Sequence, residues 1–209
     1  MPSLEIEQTW WARDCRAVAG VDEVGRGSWA GPVVAGAVIL PPDPSVAAVL
    51  QGVRDSKMLT PSERVEAAGL IARHAVAVGV GAASSRAVDA DGLLVATAAA
   101  MNRALARLPI LPAHVLVDGL PMRGLSREHT AIVRGDAHSL SIAAASIVAK
   151  VARDRWMGLL DDAYPGYGFG RHKGYGVPMH RAALHHHGPC PVHRLRYAPV
   201  AAIAAQSWA

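Results

Sequence analysis

Residues 18–32, VAGVDEVGRGSWAGP, constrain this chain more than any other stretch. A β-prone apolar run carries two adjacent carboxylates, Asp22 and Glu23. It then breaks into a glycine loop holding one arginine, Gly25-Arg26-Gly27. Carboxylates are disfavoured inside a buried strand unless they are paired or bind a metal. The two-residue period of a strand puts Asp22 and Glu23 on opposite faces. If both serve one site, the strand must end or twist at Glu23, and the glycines that follow allow it.

Around this stretch the pattern alternates. Residues 32–40, PVVAGAVIL, read as a second strand. Thr60-Pro61-Ser62-Glu63 is a capping-box helix start, and the helix runs to about Arg73, with Asp55-Ser56-Lys57 in the loop before it. A third strand is predicted over 75–83 and an Ala-rich helix over 89–107. Two short strands follow, each running into an acid: 114–117 into Asp118-Gly119, and 130–133 toward Asp136. From Ser139 to about Leu160 the helix signal is long, and its front half is rich in small residues, so a neighbour can approach closely. Trp10 and Trp11 are expected to pack a leader (1–16) onto the body, and short helices are expected over 179–187 and 199–206. Strands followed by alternating helix and strand predict an α/β layer structure with a mixed sheet.

The chain has 209 residues, 51% hydrophobic and 18% charged, which is a core-forming composition. A net charge of +4 permits a polyanionic partner without requiring one. Cys15 and Cys190 form no disulfide framework, no signal peptide is indicated, and the apolar stretches are broken before they could span a bilayer. A cytoplasmic protein with no membrane association is expected.

Asp22 with Glu23, Asp118 and Asp136 place four carboxylates at three strand ends. Strand ends of an α/β sheet commonly carry the site. Oxygen donors with no interleaved cysteine favour Mg²⁺ or Mn²⁺ over zinc. Two such ions about 4 Å apart suit in-line attack of water on a phosphodiester. The structural alternative makes Asp118-Gly119 a turn and Asp136 a helix cap.

Gly25-x-Gly27-x-x-Ala30 formally matches a dinucleotide fingerprint, but that motif must open a helix and here a strand is predicted. A backbone that approaches a nucleic-acid strand, with Arg26 beside a phosphate, fits better. The alternative for Arg26 is a solvated charge. In the tail, Tyr164, Tyr167, Phe169 and Tyr175 interleave with Arg171, His172 and Lys173. Such a mixture offers stacking faces and phosphate partners, or else a loop packed down by its own aromatics. His185-His186-His187 with Cys190 and His193 match no established zinc spacing and read as a surface run.

The segments AGVDEVGRGSWAGPVV, RDSKMLTPSER, HVLVDG, RGDAHSLSIAAASIVAKVARDR, YGFGRHKGYG and GPCPVHRLRYAPV closely resemble type 2 ribonuclease H, the bacterial ribonuclease HII family, collinearly from about residue 18 to 200. The resemblance implies a ribonuclease H-like mixed sheet flanked by helices (1–163) and a small helical C-terminal extension in the same structural unit (164–209). It puts the catalytic, metal-binding carboxylates at Asp22, Glu23, Asp118 and Asp136. The junction-sensing loop falls at Gly25, Arg26 and Gly27, and the substrate-contacting tyrosine at Tyr175. It implies a monomeric enzyme that uses two Mn²⁺ or Mg²⁺ ions. Its substrates would be RNA–DNA hybrids, and duplex DNA cut 5′ to a single embedded ribonucleotide, leaving 3′-hydroxyl and 5′-phosphate ends. Two positions depart from the family pattern: His138 where a lysine is usual, and Gly92 where an asparagine is often found. A nucleic-acid-binding module without turnover and a dinucleotide-dependent enzyme are the competing readings. The first is opposed by four acids that would weaken phosphate affinity. The second requires a helix after Gly27.

Overall fold

The computed structural model describes residues 1–53 and 56–206; Asp55 lies outside the described residues. The elements are α1 (Glu5–Trp11), β1 (Val18–Val24), β2 (Val33–Ile39), α2 (Val46–Val49), α3 (Pro61–His74), β3 (Ala77–Ala83), α4 (Ser85–Asp91), α5 (Leu93–Ala106), β4 (His114–Asp118), β5 (His129–Ile132), α6 (Leu140–Ala163), α7 (Phe169–His172), α8 (Pro178–His187) and α9 (Ala198–Gln206). Among the described residues one sheet runs in the order β3-β2-β1-β4-β5. β1, β2 and β3 pair antiparallel, whereas β4 and β5 join in parallel. This is the mixed, helix-flanked sheet of the ribonuclease H-like class. A strand follows Gly27, so the dinucleotide reading fails.

Helices cover both faces. α5 closes one core with Val21, Ala35, Met101 and Val117. α3 and α6 close the other with Val38, Ile71, Ala144 and Ile147. The backbones nearly touch. A Cβ on Gly36 would stand 2.3 Å from the Ala145 carbonyl of α6, and one on Gly81 would stand 2.2 Å from the Ala100 carbonyl of α5. Small residues on strand and helix therefore set how close the long helices lie to the sheet that carries the acids.

α3 begins as predicted. Thr60 Oγ1 accepts from the Glu63 amide, and the Thr60 amide donates to the Glu63 carboxylate at 2.7 Å. The Ala-rich helix predicted over 89–107 is instead two helices, α4 and α5, broken at Gly92. Gly92 has φ 86° and ψ 159°, a region open essentially only to glycine. Helical periodicity continues across the break, which is why the sequence pattern conceals it.

The leader is a helix and it straps α6. Ser3 brackets Ser139, donating to the His138 carbonyl at 3.0 Å and accepting from the Leu140 amide at 2.9 Å. The buried Glu7 carboxylate accepts from the Ser139 and Ser141 hydroxyls, both at 2.6 Å, and from the Ser141 amide at 2.9 Å. An anion is favoured at a helix N-terminus. Trp10 stacks on His114 with ring centroids 3.6 Å apart, and Trp11 packs into the core as expected.

Past α6 the chain turns back onto the loop that follows β1. Tyr167, Phe169, Leu184, Val200 and Ile203 form a third core around Trp29, Ala30 and Met157.

Candidate active site

The acids are delivered by register. β1 and β4 pair in parallel up to Val21–Val117, so Asp22 and Asp118 come next on neighbouring strands. β1 does not end at Glu23, one of the two ways, ending or twisting, that would let both acids serve one site. Its pairing with β2 continues through Glu23–Ala35 and Val24–Val34. The ladder to β4 is what stops, and this opens one edge of β1 while the other stays fixed. Glu23, Asp118, Arg26 and Leu94 line a cavity of about 500 Å³ at that opening.

Asp136 arrives on a 3-10 turn (Gly135–Ala137) just before α6. Arg134 takes a left-handed backbone, φ 54°, to enter that turn. The Gly135 amide donates to Asp118 Oδ1 at 2.6 Å, which ties the turn to the end of β4. The cap of α6 is Ser139, whose hydroxyl accepts from the Ile142 amide, so capping does not account for Asp136.

Asp22 is buried, and it accepts from the Glu23 amide at 2.7 Å. Burial pushes its carboxyl well above the usual range, and the Glu23 and Asp118 charges add to the rise. A hydrogen bond from Ser146 on α6 opposes it. Glu23 is engaged by Arg26, Nη1 to Oε1 at 2.9 Å. Among the described residues, no three Asp, Glu, His or Cys side chains are gathered closely enough to hold an ion. Asp22 feels the Glu23 and Asp118 charges, and clustered carboxylates repel one another unless a cation neutralises them. The donor set itself, carboxylate oxygens around an Asp22 that resists ionisation by itself, fits a hard divalent cation.

Beside the acids, the Gly25–Gly31 loop is held from behind. Gly25 has φ 88°, and a Cβ there would stand 2.1 Å from Arg153 Nε. The Trp29 amide donates to the Gly174 carbonyl and the Arg194 amide to the Trp29 carbonyl, both at 2.8 Å. The loop and the Tyr175 segment are therefore neighbours.

The aromatic tail divides. Tyr167 and Phe169 are buried and stacked, with centroids 5.2 Å apart, and Tyr164 packs against the same core. The stacking surface expected from four rings reduces to Tyr175, which is half-buried with Arg153 over its ring at 5.6 Å. The other rings were needed to build a core for the short tail.

His185, His186 and His187 are exposed, as predicted for a surface run. His193 belongs to a different, buried arrangement. It meets the Cys190 amide at Nδ1 (2.9 Å) and His180 Nε2 at Nε2 (3.0 Å), and His180 Nδ1 meets the Tyr175 carbonyl at 3.0 Å. With the Cys190 amide donating to Nδ1, the His193 proton sits on Nε2 and donates to His180, which in turn donates to Tyr175. Burial pushes both histidines down to about 4, which keeps them neutral.

Sequence reading missed Ser146, Arg153, His180 and Arg194. A signal existed for two of them. Helical spacing puts Ser146, Ala149, Arg153 and Met157 on one face of α6, and the apolar members of that set are core residues. His180 and Arg194 carry no such pattern, because the tail has too little regular structure.

The family description "Ribonuclease HII" matches residues 19–200. The ribonuclease HII of Chloroflexus aggregans is 51% identical over 200 residues, covering 95% of this chain and 94% of the relative. That of Synechococcus sp. (strain JA-3-3Ab) is 52% identical over 201 residues, covering 95% and 89%.

This chain belongs to the ribonuclease HII family.

The fold agrees. The crystal structure of ribonuclease H2 from Pyrococcus horikoshii OT3 superposes with a TM-score of 0.72 at 29% identity, covering 90% of this chain and 97% of that one. Ribonuclease HII from Archaeoglobus fulgidus, solved in complex with PCNA, gives 0.70 at 27% identity, covering 89% and 96%. As a member of the ribonuclease HII family, the chain is a metal-dependent endonuclease acting on the RNA strand of RNA–DNA hybrids. This removes the reading of a binding module without turnover. The departure at Gly92 has a physical reason in its backbone angles. His138 is exposed next to the Asp136 turn, and its carbonyl is held by Ser3.

Proposed function

We propose that this ribonuclease HII also cuts duplex DNA on the 5′ side of a single embedded ribonucleotide, with Asp22, Glu23, Asp118 and Asp136 as its catalytic, metal-holding carboxylates. The observation that carries the reading is the register that sets Asp22 beside Asp118 immediately before the Gly25-Arg26-Gly27 loop. Cutting groups and a backbone able to read a 2′-hydroxyl are thereby adjacent.

In the reaction, water oxygen bonds to phosphorus and the bond to the upstream 3′-oxygen breaks. That oxygen leaves protonated, and the phosphate stays on the ribonucleotide's 5′-oxygen. Two Mg²⁺ or Mn²⁺ ions, when bound, supply charge neutralisation and an activated water. Asp22, Glu23, Asp118 and Asp136 would hold them. The rest falls to the chain. The glycine loop lets backbone donors approach the 2′-hydroxyl, the only local mark of a lone ribonucleotide. Arg26, half-exposed beside Glu23, would meet a phosphate. Tyr175 packs against the next sugar, which must lack a 2′-hydroxyl to sit flush.

Among the described residues no helix is long and apolar enough to cross a membrane. We place the enzyme in the cytoplasm as a monomer, with residues 164–209 extending the 1–163 core.

A duplex with one ribonucleotide tests the proposal. Cleavage in Mg²⁺ or Mn²⁺ at the 5′ side, releasing 3′-hydroxyl and 5′-phosphate ends, is expected. A folded enzyme that cuts a long hybrid but leaves this duplex intact would end it.

A further inference from the structure

Two arginines behind the glycine loop are almost entirely sealed from solvent. Arg153, on α6, and Arg194, in the tail before α9, are each 0% exposed. Among the described residues neither has a carboxylate within 4 Å. Buried charge without a counter-ion is costly unless every donor is satisfied. Here backbone carbonyls satisfy them, and nearly all belong to one loop.

Arg194 donates to the carbonyls of Gly25 (2.7 Å), Arg26 (2.8 Å) and Gly31 (2.9 Å) and to the Tyr197 hydroxyl (3.1 Å). The Tyr197 hydroxyl in turn donates to the Arg26 carbonyl. Arg153 donates to the carbonyls of Pro32 (3.0 Å) and Ala30 (3.3 Å) and to the Ser28 hydroxyl (2.9 Å). It also reaches the Lys173 carbonyl (2.9 Å) and lies over the Tyr175 ring. The Gly25, Arg26, Ala30 and Gly31 carbonyls are thus engaged on the loop's inner side. The Arg26 and Gly27 amides have no hydrogen-bond partner among the described residues, and both residues are exposed.

We propose that Arg153 and Arg194 are positioning residues for ribonucleotide selection. They bind the Gly25, Arg26, Ala30 and Gly31 carbonyls of the loop from behind and so leave the Arg26 and Gly27 amides facing outward, and Arg153 fixes that loop against the Tyr175 segment. A guanidinium suits this role because its planar fork spans several carbonyls at once. A lysine keeps the charge but concentrates three donors at one point. The two positive charges, which feel Asp154 and Asp89 without an ion pair within 4 Å among the described residues, also back the loop electrostatically toward phosphate.

The inference rests on the junction-sensing role of the loop, so its test separates the two. Wild type, Arg194→Lys and Tyr197→Phe are assayed on a duplex with one ribonucleotide and on a uniform RNA–DNA hybrid. Arg194→Lys should lower kcat/KM on the single ribonucleotide about tenfold more than on the hybrid, because charge stays while the geometry goes. Tyr197→Phe removes one loop contact without burying a charge, and should move the same ratio by about twofold to threefold. An unchanged ratio in Tyr197→Phe and in folded Arg194→Lys sinks the clamp while leaving the junction role intact. A wild type that cuts the hybrid but not the single-ribonucleotide duplex sinks both. If Arg194→Lys does not fold, the Tyr197→Phe ratio decides.

Discussion

The two halves of the site are held in opposite ways. On the side we propose for cutting, Asp22, Glu23 and Asp118 lie at neighbouring strand ends and Asp136 on a turn, with the Glu23 and Asp118 charges set against Asp22. On the recognition side, Gly25–Gly31 and the Tyr175 segment are cross-linked by buried guanidiniums, neutral histidines and backbone bonds. Acids that are to hold ions need freedom to close around them. A loop that is to tell a hydroxyl from a hydrogen needs a fixed distance. Stability is given up on the first side and concentrated on the second, the usual exchange at functional sites.

The sharpest way to break this contrast is on the cutting side. Asp118→Asn should lower hybrid cleavage by about a thousandfold or more, while hybrid binding and melting temperature stay near wild type. Asp22→Asn should abolish cleavage as well, yet raise the melting temperature without added metal, because it removes a buried carboxylate that resists ionisation. If Asp22→Asn melts lower than wild type in EDTA, the cutting side is not the strained half.

On the recognition side a small change should cost stability. Gly25→Ala puts a Cβ against Arg153 and onto a left-handed backbone, and should destabilise by about 2–3 kcal/mol in urea unfolding. A variant as stable as wild type would show that the loop is not clamped.

The buried histidine chain makes the same side pH-sensitive. His180 and His193 are held down to about 4, against an unfolded value near 6.5. Between those values the unfolded chain binds more protons, so their contribution is intact above pH 6.5 and is lost as pH falls toward 4. At pH 5 the loss is on the order of 2 kcal/mol per histidine. Urea midpoints at pH 7 and pH 5 for wild type and His180→Asn measure it, and equal losses in both proteins would remove the pair as the cause.

Thr60→Ala, whose hydrogen bonds with Glu63 lie at the start of α3, calibrates the scale. It breaks one capping box and should cost about 1 kcal/mol with no change in cleavage.

Much of this enzyme is local, and so was legible in its sequence. The alternation of strands and helices, the Thr60 capping box and the acids at the ends of apolar runs each arise within a few residues, where periodicity and turn chemistry act. The same reasoning placed Trp10 and Trp11 against the body. It misjudged 89–107, because the break at Gly92 lies in a backbone angle that periodicity does not register. It offered an end or a twist of β1 at Glu23; the strand does not end there, and it is the ladder to β4 that stops. Which strand pairs with which is not a local property. Likewise, nothing near Arg153 or Arg194 in sequence says that their donors meet carbonyls more than a hundred residues away. The sequence by itself determined which groups could cut and which loop could sense. Tertiary packing decided how far each is free to move, because burial turns an ordinary arginine into a fixed point, and only a neighbouring strand or tail can bury it.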